Sequence, residues 1–86
     1  MGKIYAVFGT TGEYSDHREW PVKAFVNEMK AQAFVEAASE LANKLFATVG
    51  RYDGYRLRGR NPLDPKMECD YTGTQYHYCE LELVEE

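Results

Sequence analysis

Residues 3–8 alternate strictly. Ile4, Ala6 and Phe8 share one face and Tyr5 and Val7 the other, and this period of two predicts a strand. Residues 19–25 predict a second strand, with Trp20, Val22 and Ala24 on one side. Pro21 has no amide hydrogen to donate to a ladder, which places this strand at a sheet edge or starts it after the proline. Residues 75–84 predict a third strand, with His77, Cys79, Leu81 and Leu83 on one face and Tyr76, Tyr78, Glu80 and Glu82 on the other.

Between the second and third strands the period changes. Ala31, Phe34, Val35, Ala38, Leu41, Ala42, Leu45, Phe46 and Val49 recur in steps of three and four, a continuous apolar stripe along a helix of about residues 28–49. Asn27 is a suitable N-cap, Glu28 favours the N-terminal end of the helix dipole, and Gly50 suits the C-terminal cap. From residue 50 to residue 73 the period is lost. Gly50, Gly54, Gly59, Pro62, Pro65 and Gly73 predict a long loop, with a short helical turn at Asp64–Met67.

The order strand, strand, helix, loop, strand (ββαβ) predicts one α+β domain over residues 1–86. Its three-stranded, largely antiparallel sheet carries one long helix on one face, with a long loop before the last strand. Ile4, Ala6 and Phe8 are assigned to the helix side. Tyr5, Val7, Tyr76 and Tyr78 then fall on the open face, where they form a candidate oligomer interface in a homodimer or higher oligomer. Ordinary cross-strand pairing accounts for the same tyrosines.

With 86 residues the chain is one small domain with a limited core. Its formal charge of −4 argues against a general nucleic-acid binder, which needs a basic footprint. No apolar run is long enough to span a membrane, so the expectation is a cytoplasmic protein in which Cys69 and Cys79 stay reduced. The two cysteines and two histidines match no zinc-ligand spacing, and no cofactor or metal is implied.

Candidate chemistry gathers in three segments. The loop from Gly9 to Trp20 exceeds the needs of a hairpin turn and holds Tyr14, Ser15, Asp16, His17 and Trp20. Residues 51–60 carry four arginines and two tyrosines against one aspartate. Arg56, Arg58 and Arg60 suit an anionic group, and Tyr52 and Tyr55 a flat ring. The arginines could instead meet the acidic residues 80–86. Tyr71 and Thr72, just before the last strand, resemble the first loop in composition. Brought to one end of the sheet, the three segments would form a single recognition rim. Asp16 beside His17 could act as an acid–base pair, although Ser15 and Asp16 are equally common turn formers. The glycines at 9 and 12 do not make a phosphate loop, since a strand rather than a helix follows them.

Gly12-Glu13-Tyr14-Ser15-Asp16, followed by a strand and an alanine-rich helix, resembles a group of small uncharacterised phage and bacterial accessory proteins. The segment Asp70-Tyr71-Thr72-Gly73-Thr74 with Tyr76 shares the likeness. The resemblance implies a phage or prophage accessory gene and carries no established activity. Two classes of function follow. The first is a non-enzymatic binding protein, such as an anti-defence factor that blocks a host protein or sequesters a nucleotide-type ligand. The alternative is a small enzyme acting on a phosphorylated or nucleotide substrate through His17 or His77.

Overall fold

The computed structural model describes residues 2–84. Strands β1 (Gly2–Thr11), β2 (Arg18–Phe25) and β3 (Thr74–Leu83) form an antiparallel sheet of order β2-β1-β3, and helix α1 (Glu28–Thr48) crosses one face. A 3-10 turn at Tyr14–Asp16 joins the first two strands, and a second 3-10 segment, Arg51–Leu57, follows the helix. The α+β class and ββαβ order are as the hydrophobic pattern predicts. Among the described residues no helix is long and apolar enough to cross a membrane.

Local signals set the helix start. The Asn27 side chain accepts from the Lys30 amide at 3.1 Å, and Glu28 sits in the first turn. The far end falls one residue short of the prediction. Val49, not Gly50, is the cap, its amide donating to the Phe46 carbonyl, while the Thr48 hydroxyl donates to the Leu45 carbonyl at 2.6 Å.

The sheet faces are the reverse of the predicted assignment. Val7 is buried and Tyr76 packs in the core beneath Ala38 and Ala42 of α1. Tyr5 and Tyr78 meet edge-on at 6.2 Å, and the Tyr78 hydroxyl donates to Glu28 of the helix at 3.1 Å. Tyr5, Val7, Tyr76 and Tyr78 therefore face the helix and do not form an outward interface. Ile4, Ala6 and Phe8 occupy the other side, where Phe8 stacks on the exposed His77 at 5.7 Å. The reason is the exact period of two: a one-residue change of phase exchanges the faces, and β1 is apolar on both.

A bulge resolves β2. Val7 pairs with Lys23 and Phe8 with Pro21, leaving Val22 as the extra residue. Trp20 and Val22 both turn toward the core, whereas Ala24, opposite Ala6, is switched to the outer side.

Residues 50–73 are not a peripheral loop. Leu57, Met67 and Cys69 join Ala38, Ala42 and Tyr76 in the central cluster, beside α1 on the same sheet face. The fully buried residues of the helix are alanines, and this irregular segment adds bulk to the core beside the partly buried Phe34, Val35, Leu45 and Phe46. Its Asp64–Met67 turn closes through the Met67 amide on the Asp64 carbonyl at 3.0 Å.

Candidate functional site

Two polar clusters organise the segment between α1 and β3. The first centres on the buried Asp64 and Asn61. Asp64 accepts from the Trp20 indole N–H at 2.8 Å and from the Tyr76 hydroxyl at 2.9 Å, both on Oδ2, while its Oδ1 takes the Lys66 amide at 3.2 Å. Asn61 donates to the Ala38 carbonyl at 3.1 Å and to the Tyr76 hydroxyl at 3.3 Å, and accepts from the Leu63 amide at 3.0 Å. Burial, with Asp64 alongside, pushes the Tyr76 phenol well above its ordinary range. Among the described residues no buried side-chain nitrogen or oxygen lacks a partner. Trp20 thus belongs to a structural clamp and not to the recognition rim predicted for it.

The second cluster lies where β1 ends and β2 and β3 begin. The Thr11 hydroxyl donates to the Gly73 carbonyl at 2.6 Å and accepts from the Asp70 amide at 3.1 Å. Asp70 Oδ1 takes the amide and hydroxyl of Thr72, at 2.8 and 2.5 Å, and the Thr72 oxygen accepts from the Gly12 amide at 2.9 Å. These bonds tie the first hairpin to the turn before β3. Gly12 has φ +88°, and a Cβ there would overlap the Asp16 carbonyl, so only glycine fits. Partial burial pushes the Asp70 carboxyl up, but bonds from Thr72 and Thr11 outweigh it, and the group titrates below its usual value.

Beside this cluster opens a cleft of about 290 Å³, lined by Thr11, Asp16, Arg18, Tyr55, Arg58, Glu68, Cys69, Asp70 and Tyr71. One carboxylate oxygen of Glu68 accepts from Arg58 Nε at 2.8 Å, from Arg58 Nη2, and from Arg18 Nη1 at 3.0 Å. Hydrogen bonds from Arg58 hold the Glu68 carboxyl below its usual range. A depressed carboxylate stabilises the fold above its unfolded value, about 4.3, and that contribution is lost as pH falls through the folded value. The Arg18–Glu68–Arg58 bridge should therefore persist at neutral pH and open only in acid. In a carboxyl NMR titration the Glu68 midpoint is expected below about 4.3; a midpoint at or above that value contradicts the bridge.

Of the residues predicted to share a rim, Asp16, Arg58 and Tyr71 line this cleft. Thr72 stands behind it as a support. Tyr14 is 95% exposed and sits in the left-handed region at φ 51°, a conformation that non-glycine residues seldom adopt. Ser15 and His17 are exposed on the same turn but do not line the cleft. Arg56 lies against Tyr55 and Asp53, its Nε 3.7 Å from the Asp53 carboxylate, and Arg60 is exposed outside the lining. Arg58 meets Glu68 rather than the acidic C-terminal run, and within that run Glu80 pairs with Lys3 at 3.4 Å. Glu85 and Glu86 lie outside the described residues.

Thr11, Arg18, Glu68 and Cys69 were not legible as site residues, and Asp70 was legible only as part of the segment 70–74 before the last strand. Each belongs by itself to a strand end or a turn, and the contacts that gather them join positions 50 to 62 residues apart. The histidines do not converge: His77 sits on the outer sheet face, 3.6 Å from Glu19. Burial pushes the Cys69 thiol up, which keeps it protonated and a weak nucleophile. Both cysteines are free, Cys69 buried and Cys79 exposed.

Fold and cleft together define a two-layer α+β domain with a tyrosine-flanked, charge-compensated depression at one end of its sheet. Compared with protein-family models, curated proteins and solved structures, the chain has no match.

Proposed function

We propose that this chain is a non-enzymatic binding protein whose partner is another protein, engaged through the cleft and the tyrosines around it. In keeping with the phage-like loop sequence, it would work in the host cytoplasm as a phage or prophage anti-defence factor that blocks a host protein. The observation that carries this proposal is the exposure of Tyr55 and Tyr71, two large aromatic side chains that line one depression. Tyrosine and arginine dominate interface hot spots, because they supply much contact area with few rotatable bonds. A sequestered nucleotide is the weaker fit. The two arginines in the cleft already answer to Glu68, and Asp16 and Asp70 stand beside them. At about 290 Å³ the depression also falls at the lower limit of small-molecule pockets.

The test is retention of a host protein by the immobilised chain and by a Tyr55→Ala/Tyr71→Ala variant. One equivalent of a host protein is expected on the parent chain, with at least about tenfold weaker retention by the variant, the size of effect one hot-spot residue produces. Since both tyrosines are exposed, the melting temperature should not move. A nucleotide released in one equivalent by heating the purified protein would favour sequestration. Turnover of excess phosphorylated substrate would favour an enzyme.

A further inference from the structure

The sheet is covered on one side only. Helix α1 and the core cluster occupy the face of Val7 and Tyr76. The other face presents Ile4, Phe8, Ala24, Cys79, Leu81 and Leu83, with Leu81 44% and Leu83 39% exposed. Charge is almost absent from it. The strand positions of this face include only Glu19 and His77 as titratable groups besides the Cys79 thiol, and those two lie 3.6 Å apart. Lys3, Glu80 and Glu82 all fall on the opposite phase of their strands, where Lys3 pairs with Glu80. The interior, meanwhile, is modest. The fully buried helix residues are Ala31, Ala38 and Ala42, with Phe34, Val35, Leu45 and Phe46 only partly buried against the core.

The geometry points to a second copy of this chain as the cover, bound face to face through the sheets. Charge argues for it. A neutral face suffers no like-charge repulsion when it meets itself across a two-fold axis, and it offers no unpaired charge by which an unlike partner would be selected. Area argues the same way. Strands of 10 residues extend about 33 Å, and three strands span about 14 Å, a footprint of roughly 470 Å² before side-chain relief is added. A stable dimer needs about 800 Å² of accessible surface per partner, more than this flat footprint, so the whole face must be used together with the relief of its side chains. A second flat, apolar sheet stacked about 10 Å away can do that, whereas a single peptide strand cannot. Thr11 and Arg18, which line the cleft, belong to the opposite, helix-side phase of β1 and β2, so a dimer of this kind carries two open clefts.

Cys79 makes the contact measurable, since it lies on the face while the other thiol, Cys69, is buried. Sedimentation and the rate of Cys79 alkylation by iodoacetamide are followed together from low to high micromolar protein. The expected result is a dimer at the upper end, with alkylation slowed about tenfold as monomer gives way to dimer by mass action. Leu81→Asp and Phe8→Glu should return the protein to monomer and restore fast alkylation, while Glu82→Lys, on the other phase, should change neither. Should the face variants fail to fold, the alkylation profile of the unaltered protein still decides the matter. A monomer with concentration-independent alkylation overturns the proposal. So does a dimer in which Cys79 stays fast, because it must use another surface, and so does protection of Cys79 only by a different protein.

Discussion

Asp64→Ala is expected to be among the most damaging single substitutions in this chain. The side chain is 0% exposed, and its loss strands the Trp20 indole N–H, the Tyr76 hydroxyl and the Lys66 amide at once. Each buried donor left without an acceptor costs about 1–3 kcal/mol, so the total is about 3–5 kcal/mol even if water reaches one of them. A domain of this size has about 4–13 kcal/mol of stability in all. At about 4–8 °C per kcal/mol, the melting temperature should fall by at least about 12 °C. Thermal unfolding followed by circular dichroism checks this, and a fall of under about 5 °C would show that the clamp contributes little. Asp64→Asn keeps one acceptor oxygen and should fall between the two. Its amide group would face the Lys66 N–H, donor against donor, so the rescue stays partial.

The second large effect is expected at Gly9, where the cause is space rather than hydrogen bonding. Gly9 pairs with Trp20 across the β1–β2 ladder, and the indole lies against it. A Cβ at position 9 would stand 2.5 Å from Trp20 Cε2 and Cζ2 and 2.8 Å from Nε1. The indole must move, and moving it breaks the bond to Asp64. Gly9→Ala should therefore cost about 2–4 kcal/mol, combining overpacking strain with one stranded buried donor. The Gly9→Ala/Asp64→Ala double mutant gives the sharper measurement. Both changes sever the same Trp20–Asp64 bond, so their costs should sum to less than additive by about 1 kcal/mol or more. Strict additivity would mean that Trp20 relaxes without losing its partner.

Both substitutions act on a clamp that the sequence did not disclose, and the reason is physical. Asp64 and Pro65 read as turn formers, and as a turn they do close on Met67. Nothing near Asp64 announces that its carboxylate will be buried against an indole 44 residues earlier and a phenol 12 residues later. A buried acid is uncommon enough that turn chemistry is the natural reading until its partners are known. The cleft has the same history. Asp16, Arg58 and Tyr71 were legible because tyrosines and arginines in loops suggest recognition. Arg18 and Glu68 were not, because their meaning lies in a shared carboxylate oxygen.

What the chain determines locally is its set of elements. The three- and four-residue spacing from Ala31 to Phe46, capped by Asn27, suffices to make α1, and the alternating runs suffice to make three strands. Each of these signals is complete within about ten to twenty neighbouring residues, and the antiparallel ββαβ arrangement follows from short connections. Which side of the sheet faces the helix was decided only in three dimensions. Strand β1 is apolar on both faces, so its alternation is satisfied either way. The choice falls to long-range fit. Tyr76 reaches Asp64 and Asn61 only if Val7 and Tyr76 turn inward, and Leu57, Met67 and Cys69 fill the space beneath the helix alanines only from that side. That arrangement buries those polar groups with every partner in place and puts Ile4, Phe8, Leu81 and Leu83 on the face away from the helix.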